Sequence, residues 1–529
     1  MSFLKYRFLI PILAVIMLHA FASCSSGSSA ISTSASGSVT GTAGVLRAAD
    51  GSPIAGASVA ISTGSSSNLK KYLSDNSGRW MRLPQLTDAD GITCDDLSVS
   101  SDQLLAYDCT AADGAYTLSG TIPCNTPITF YAKKGSFSIS ASITISCPTD
   151  SSTTTTLDDI GLSDDCMVDD TASTWGDDGE DTTDDADDSE SDELSLTKSR
   201  PAATMDSCTP ELANIAVVTG NYDDIENVIG KLLDSSAMVD GSLDKTADPS
   251  TFGFDLIDGN NELDDSAFTN FDEFVNGETD LSVYDIIFIN CGNSYESLSI
   301  DSEVQALLQE YVEAGGKLYV TDWSYMFIEQ NYPGFMDYSD GGTDPSVAES
   351  PYTAAKDGTG GITSDATVND VFMAEWLDSV YVNPNTDDTG PGDPDDDCSI
   401  NSPGYDDYYY LKTTDSTSDS AATWQGARNA DETITIADFL GGWVVMEAVH
   451  SGLEDLAEPE EEPTVWISGP ITYSPSDVYV SSITDAPLTA SRDQGLGRIL
   501  YSSYHTAHSC PTTGFWPQER VLQYLVWEL

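Results

Sequence analysis

The chain has 529 residues, of which 87 are acidic and 20 are basic, so its formal net charge is −67 at pH 7. This charge excludes nucleic acid as a partner and anionic lipid headgroups as an attachment surface, because like charges repel. Two interpretations of the acidity stay open. One is calcium loading, since carboxylate oxygens are the ligands of hard cations. We favour the other, a solvated surface suited to a saline habitat, because the excess is spread along most of the chain.

The N-terminus has the layout of a secretory signal. A positively charged start precedes an apolar run from Phe8 to Leu18, which is too short to span a bilayer, and small residues then lead into Cys24. The stretch Phe21-Ala22-Ser23-Cys24 resembles the lipobox of bacterial lipoproteins. This resemblance implies that residues 1–23 are removed and that Cys24 carries the acyl chains, palmitate among them, that anchor the exported protein. Ser25 implies the outer membrane, with the protein periplasmic or surface-facing, whereas an ordinary signal peptide is the alternative.

The cysteines fit an exported protein. Ten are present, and nine remain once Cys24 is set aside as the lipidation site. In an oxidising compartment some of them should form disulfides, and the odd count leaves at least one free thiol. Spacing alone does not determine the pairing. Five cluster in the first third and indicate a small stapled domain, namely Cys94, Cys109, Cys124, Cys147 and Cys166.

Residues 24–38 are rich in Ser, Ala and Gly and predict a flexible tether. Residues 39–161 predict an all-β domain, because short runs of Val, Ile, Thr and Tyr are broken by Gly, Asp and Pro. The stretches D-G-S-P-I-A-G-A-S-V, from Asp50 to Val59, and T-A-A-D-G-A-Y-T-L, from Thr110 to Leu118, resemble the carboxypeptidase regulatory-like domain. The resemblance implies a transthyretin-like β-sandwich without chemistry of its own. Some carbohydrate-binding modules share this fold, so weak glycan contact stays open. A cysteine-bearing insertion from Thr63 to Asp108 departs from the family pattern.

Residues 162–207 are predicted to be an acidic, disordered linker. The block from Asp164 to Glu193 is roughly half acidic and has almost no aliphatic residues. Such a block cannot bury enough apolar surface to offset its chain entropy. A calcium-responsive strap is the alternative interpretation.

Buried strands and helices alternate between residues 208 and 529, which predicts an α/β domain with a doubly wound parallel sheet. Residues 331–463 break this rhythm and predict a long insertion with its own short strands. The predicted fold class is therefore multidomain, an all-β sandwich followed by an α/β domain. The predicted elements are strands at Asn214–Thr219, Tyr284–Ile289 and Lys317–Thr321, and helices at Asp223–Leu233 and Gln518–Leu529.

Three segments of this region, Tyr284–Gly292, Leu308–Trp323 and Gly495–His505, together resemble the class I glutamine amidotransferase-like superfamily. Trehalose-utilisation-type envelope members are more similar than true amidotransferases. The resemblance implies a flavodoxin-like parallel sheet. In catalytic members it also implies a cysteine nucleophile on a sharp elbow after the third strand, near a later histidine.

The catalytic pattern of that superfamily is incomplete in this chain. The nucleophile position falls on Asp322, and the histidine position falls on His505. Ala507 stands where a carboxylate usually follows the histidine. Glutamine hydrolysis by the family mechanism is therefore not expected. Cys291 is a second candidate nucleophile, with a buried thiol or half of a disulfide as the alternative.

The sequence contains two candidate metal sites, each with an alternative interpretation. Asp322 with His505 and His508 could hold a transition metal, because His-x-x-His can direct two imidazoles at one ion; the alternative is two hydrogen-bonded loop histidines. The segment from Asn383 to Cys398 has closely spaced Asp and Asn residues that suit Ca²⁺, with a solvated acidic loop as the alternative. The candidate calcium ligands are Asp387, Asp393, Asp395 and Asp397.

The sequence favours a lipid-anchored surface protein that binds a glycan or an envelope component rather than an enzyme. Open α/β sheets place ligands at the carboxyl ends of their strands. A hydrolase that uses Asp322 and His505 with a metal or an activated water is one alternative, and a purely structural spacer is another. The candidate ligand-binding residues are Asn221, Asn293, Asp322, Trp323 and His505.

Overall fold

The computed structural model describes residues 38–48, 52–63, 81–82, 98–99, 104–147, 154–157, 160–162, 203–261, 263, 267–277, 279–292, 295–339, 363–380, 433–440, 444–450, 463–476, 479–507 and 515–529. The predicted signal peptide, Cys24, the tether up to residue 37 and most of the acidic linker lie outside these ranges. Among the helices that are described, none is both long and apolar enough to cross a membrane.

The N-terminal region folds into two principal sheets. A four-stranded sheet has the order β10-β1-β6, with β9 also paired to β1, and a five-stranded antiparallel sheet has the order β11-β8-β7-β2-β5. Tyr116 of β6 contacts Phe130 of β7 with ring centroids 5.8 Å apart, so the two sheets share a core. The strands are β1 Ser38–Ala48, β2 Ser58–Ser62, β3 Met81–Arg82, β4 Ser98–Val99, β5 Leu104–Cys109, β6 Ala115–Pro123, β7 Pro127–Lys134, β8 Phe137–Ile145, β9 Thr154–Thr156, β10 Ile160–Leu162 and β11 Ala203–Glu211.

Alternating burial along β8 explains how this core forms. Apolar side chains of the strand, from Phe137 to Ile145, are buried at every second position.

The prediction that some cysteines form disulfides is confirmed, because Cys124 is bonded to Cys147. Cys109 and Cys208 are also disulfide-bonded.

Strand β11 corrects the predicted start of the α/β domain at residue 208. β11 pairs antiparallel with β8 from Ala203 opposite Ile145 to Glu211 opposite Ser138, so it belongs to the N-terminal sheet. The end of the predicted linker, residues 203–207, is accordingly a strand. No apolar run marks this segment, because an edge strand has a single neighbour and tolerates polar residues.

The C-terminal region is built on a nine-stranded sheet of order β15-β12-β16-β17-β24-β23-β22-β19-β20. The first five strands are mutually parallel and the remaining pairs are antiparallel, so the sheet is mixed rather than entirely parallel as predicted. The strands are β12 Ile215–Val218, β13 Met238–Val239, β14 Ser242–Leu243, β15 Asp255–Ile257, β16 Ile286–Ile289, β17 Lys317–Thr321, β18 Met336–Tyr338, β19 Thr363–Val368, β20 Ile434–Leu440, β21 Met446–Val449, β22 Thr464–Ser476, β23 Tyr479–Gln494 and β24 Gly497–Ser502.

Helices cover this sheet and connect its parallel strands. The longer helices present one apolar face to the sheet; in α4, for example, Val304, Leu308 and Val312 are buried while Glu303 is exposed. The α-helices are α1 Ile225–Leu232, α2 Phe271–Phe274, α3 Glu296–Ser299, α4 Ser302–Glu313, α5 Met326–Asn331, α6 Val371–Ser379 and α7 Pro517–Glu528.

The predicted insertion, residues 331–463, contributes directly to the main sheet. β19 pairs with both β20 and β22, and α6 packs on α7 through the rings of Trp376 and Tyr524, whose centroids are 5.4 Å apart. The short strands predicted for the insertion are present, but β19 and β20 extend the main sheet. Polar loops interrupt the alternation of strands and helices in the sequence. The side chains of Ala366 and Val368 are nevertheless buried, because β19 lies inside the sheet and is covered by other elements.

The last helix joins the two regions. Phe137 of β8 packs on Trp527 of α7 with ring centroids 4.4 Å apart, and Lys134 Nζ lies 2.6 Å from Glu528 Oε1. Trp376 Nε1 also donates a hydrogen bond to the carbonyl oxygen of Pro53, at 2.8 Å. The mixed sheet and the N-terminal sheets consequently share one buried cluster.

Candidate functional site

A sharp turn at Asp322 occupies the position where the family pattern places its nucleophile. β17 ends at Thr321, Asp322 has a φ of +41°, and a 3₁₀ turn over Asp322–Tyr325 then leads into α5. A residue with a Cβ pays a steric penalty in this left-handed region. A strand followed by a strained residue and a helix is the geometry of a nucleophile elbow, which presents a side chain at the end of a sheet.

Two contacts hold this turn in place. Tyr501 Oη donates a hydrogen bond to the carbonyl oxygen of Asp322 at 2.9 Å, and the backbone N–H of Val444 donates to Asp322 Oδ1 at 3.0 Å. Val444 belongs to the predicted insertion, so that segment covers the elbow. As a result only 1% of Asp322 is exposed.

Three reactive side chains meet at the turn. Asp322 Oδ2 lies 3.1 Å from His505 Nε2 and 3.4 Å from Cys291 Sγ, and all three groups lie within 4.8 Å of one another. Cys291 follows β16, Asp322 follows β17, and His505 follows β24. Because these strands are adjacent and parallel, their carboxyl ends meet at one edge of the sheet.

The thiol of Cys291 is unsuited to nucleophilic attack. Cys291 is 1% exposed, and burial, reinforced by the charge of Asp322, raises the pKa of the thiol far above its ordinary value. A reactive cysteine needs a lowered pKa, so that a thiolate is present. The alternative of a buried thiol is confirmed, since Cys291 is unbonded to any other cysteine among the described residues.

The neighbouring carboxylates raise the pKa of His505. Burial lowers its pKa, but the hydrogen bond to Asp322 and the charges of Asp322 and Asp223 outweigh that effect, so the net pKa of His505 is raised. About a fifth of the His505 side chain is exposed, at 20%. The cluster is therefore open to solvent on the histidine side and closed on the side of the carboxylate and the thiol.

Asp223 positions the loop that carries His505, a role that was not predicted from the sequence. Its carboxylate accepts hydrogen bonds from the backbone N–H of Thr506 at 3.1 Å and of Ala507 at 3.0 Å, and from the Thr506 hydroxyl at 3.1 Å. Burial raises the pKa of Asp223, against the lowering effect of the His505 charge. The available signal was its place in the loop after a buried strand, where open sheets put functional residues.

Ser324 ties the elbow to the turn that carries Cys291. Its hydroxyl donates to the carbonyl oxygen of Asn290 at 2.6 Å and accepts from the backbone N–H of Gly292 at 3.2 Å. The relative placement of Cys291 and Asp322 is fixed by these contacts.

A polar cleft adjoins the cluster at the ends of β12 and β15. Its volume is about 310 Å³. The backbone N–H of Asn221 donates to the carbonyl oxygen of Cys291 at 2.9 Å, so the wall of the cleft is bonded to the strand end that carries the thiol. Apart from Asn221, these residues were not predicted. The lining consists of Asn221, Asp258, Gly259, Asn260, Asn261, Asn270, Phe271, Asp272, Tyr295 and Leu298.

Two hydrogen bonds shape this cleft. Tyr295 Oη donates to the carbonyl oxygen of Thr219 at 2.9 Å, and Asn260 Nδ2 donates to that of Gly220 at 2.8 Å. The side chain of Asn270 accepts a hydrogen bond from the N–H of Glu273 and caps α2. The walls are therefore preformed by the loops that follow the strands.

The predicted site residues are only partly brought together. Asp322 and His505 are in contact, Asn221 lines the adjoining cleft, and the Trp323 ring lies against Tyr325 with centroids 6.5 Å apart. The other candidates lie outside the described residues, namely Cys24, Asn293, His508, Asp387, Asp393, Asp395 and Asp397.

Comparisons with known proteins found neither a matching family model nor a matching curated relative. Two solved structures are similar over part of the chain. A GH42 β-galactosidase is 13% identical with a TM-score of 0.20, and the match covers 60% of this chain and 30% of that enzyme. A putative ThuA-like protein from Parabacteroides merdae is 12% identical with a TM-score of 0.25, and the match covers 60% of this chain and 90% of that protein. The second description agrees with the coarse trehalose-utilisation-type resemblance. At these TM-scores neither likeness carries weight in assigning a function.

Proposed function

We propose that this chain is a lipid-anchored protein of a bacterial envelope that binds a glycan or another envelope component without converting it. In this proposal the two N-terminal sheets are a carboxypeptidase regulatory-like sandwich. The mixed sheet belongs to a degenerate amidotransferase-like domain that has kept its elbow and lost its nucleophile. The acyl anchor at Cys24 attaches the protein to the membrane.

The observation that carries the binding role is the polar cleft beside the elbow. Its side-chain amides and carboxylates offer both donors and acceptors, which is what a polyhydroxylated ligand requires. The rings of Phe271 and Tyr295 lie edge to face, with centroids 5.2 Å apart, and form an apolar part of the wall. Sugars present hydroxyl groups on their edges and C–H groups on their faces, so this combination suits a glycan.

The buried cluster of Cys291, Asp322 and His505 argues against glutamine hydrolysis by the family mechanism. Asp322 replaces the nucleophile and is covered by Val444, while the thiol of Cys291 is buried and protonated. An acyl-transfer site needs an activated nucleophile with room for the acyl carbon beside it. Neither side chain meets that requirement, whereas the cleft leaves space for a ligand.

The test uses the full chain purified in detergent and incubated with a panel of glycans and envelope fractions. Retained and converted compounds are identified by mass spectrometry. Asn221→Ala and Asp272→Ala, both exposed in the cleft, should each weaken retention about 5–10-fold, the cost of about 1–1.5 kcal/mol for one hydrogen bond. Asn276→Ala, an exposed asparagine outside the cleft lining, is the matched control. Retention that the cleft variants leave unchanged would refute the assignment of the site.

A hydrolase is the second candidate, because Cys291, Asp322 and His505 converge at one strand edge. In this reaction His505 would transfer a proton. Asp322 would orient the imidazole of His505 or a metal-bound water. The same incubation separates the two functions. Retention without products, unaffected by His505→Ala, supports binding, whereas products that vanish in His505→Ala establish the hydrolase. A complete lack of retention and conversion leaves the structural spacer.

A further inference from the structure

We propose that Cys291, Asp322 and His505 form a binding site for one divalent transition metal ion of the zinc class. The ligand atoms are Cys291 Sγ, Asp322 Oδ2 and His505 Nε2. This inference does not depend on the proposed binding of a glycan, because it concerns the closed cluster and not the cleft. It also differs from the predicted histidine pair, since the thiol takes the place assigned to His508.

Two of the three separations between the ligand atoms match a tetrahedral site. Bonds of about 2.3 Å to sulfur and about 2.0 Å to nitrogen or oxygen place neighbouring ligand atoms of zinc about 3.3–3.5 Å apart. Asp322 Oδ2 lies 3.4 Å from the sulfur and 3.1 Å from the imidazole nitrogen. The sulfur and the imidazole nitrogen lie within 4.8 Å of each other, so closing all three side chains on one ion needs a shift of up to about 1 Å.

The surrounding hydrogen bonds orient each ligand as a metal site requires. The N–H of Val444 occupies Asp322 Oδ1 and leaves Oδ2 for the ion, so the carboxylate would bind through one oxygen. The backbone N–H of Trp323 donates a hydrogen bond to Cys291 Sγ and so orients the sulfur. Asp223 holds the loop that carries His505. Such outer contacts fix the direction of metal ligands and are part of the affinity.

The ligand set selects the kind of ion. One thiolate, one imidazole and one carboxylate suit Zn²⁺ or Co²⁺, whereas Ca²⁺ and Mg²⁺ prefer oxygen ligands throughout. A thiolate and a carboxylate also neutralise a divalent charge, which favours binding where Cys291 and Asp322 are buried. Three protein ligands leave the fourth position of a tetrahedral ion for water.

Hydrogen bonding alone gives similar distances, so the experiment must detect the metal itself. The full chain is purified in detergent without a histidine tag, stripped with a chelator and titrated with Co²⁺. We expect one equivalent to bind, with the intense near-ultraviolet band of a cobalt–thiolate bond. X-ray absorption of the zinc-loaded wild-type chain should show one sulfur at about 2.3 Å and nitrogen or oxygen at about 2.0 Å. A first shell without sulfur, or no uptake by the stripped chain, would overturn the proposal.

Variants assign the ligands. Cys291→Ser should abolish the cobalt–thiolate band, and Asp322→Asn and His505→Gln should each weaken Zn²⁺ binding at least about tenfold. The matched control is His450→Gln, because His450 also faces an aspartate, Asp337, at 3.9 Å, and neither residue belongs to the cluster. A band that persists in Cys291→Ser would refute the site. The absorption measurement on wild-type protein decides the question even where a variant does not fold.

Discussion

Glu226 offers the clearest test of the electrostatics beneath the site. It lies on α1 with no exposed surface, accepts a hydrogen bond from Asn290 Nδ2 at 2.8 Å, and pairs with Lys245 Nζ at 2.5 Å. Burial raises the pKa of Glu226 to about 7 despite the charge of Lys245. The perturbation is Glu226→Gln, which keeps the shape of the side chain and removes its titration.

The sign and size of the pH effect on the free energy of unfolding follow from the linkage between proton binding and folding. The folded protein binds this proton more tightly than the unfolded chain, so the stabilisation is complete below pH 4.5 and is lost as the pH rises to about 7. At about 1.4 kcal/mol per pH unit, the difference amounts to about 3 kcal/mol in the free energy of unfolding. Replacing one carboxylate oxygen by an amide also disturbs the contact with Asn290, but that cost does not vary with pH.

The assay is thermal unfolding of the wild type and of Glu226→Gln between pH 4.5 and 8. Relative to the variant, the wild type should lose several degrees of melting midpoint across this range, as expected for about 3 kcal/mol in a domain of this size. Glu303→Gln, an exposed glutamate of α4, controls for the change of residue type. Curves that run parallel, or a wild type that gains stability as the pH rises, would show that the reasoning is wrong.

Three further predictions concern the joined cores, each measured as the free energy of unfolding by urea. Phe137→Ala should cost about 3–5 kcal/mol, because the ring is fully buried against Trp527; a cost below 1 kcal/mol would contradict this packing. Trp376→Phe should cost about 1–3 kcal/mol by leaving the carbonyl of Pro53 without its donor, and a neutral effect would refute that role. Lys231→Met should cost about 3–5 kcal/mol, because it strands the buried carboxylate of Glu519, and adding Glu519→Gln should restore part of the loss.

The buried parallel strands were predictable because their sequences permit little else. The run N-I-A-V-V-T predicts a strand over Asn214–Thr219, and β12 spans Ile215–Val218. The predicted strand at Lys317–Thr321 coincides with β17. A short, continuous apolar run with a turn behind it suits a strand that is covered on both faces. The polar edge strand β11 carries no such signal, and its place depends on the partner that it finds.

The site was predictable only where a motif marked it. Asp322 and His505 were identified from the elbow and the histidine position, and their contact follows from the adjacency of β17 and β24. The approach of Cys291 depends on the turn after β16 and on the hydroxyl of Ser324, which spacing along the chain does not encode. The cleft is assembled from separate loops, so its residues share no sequence pattern.

The strain at Asp322 bears on the proposed metal site. A φ of +41° costs a residue with a side chain of the order of 1–3 kcal/mol, which a glycine would avoid. Tyr501 and Val444 each contribute a hydrogen bond that holds Asp322 in this conformation. A turn that served only to connect β17 to α5 would need neither the carboxylate nor its contacts with Cys291 and His505. The contacts of the carboxylate, and not the backbone conformation alone, therefore favour a metal site over a spacer.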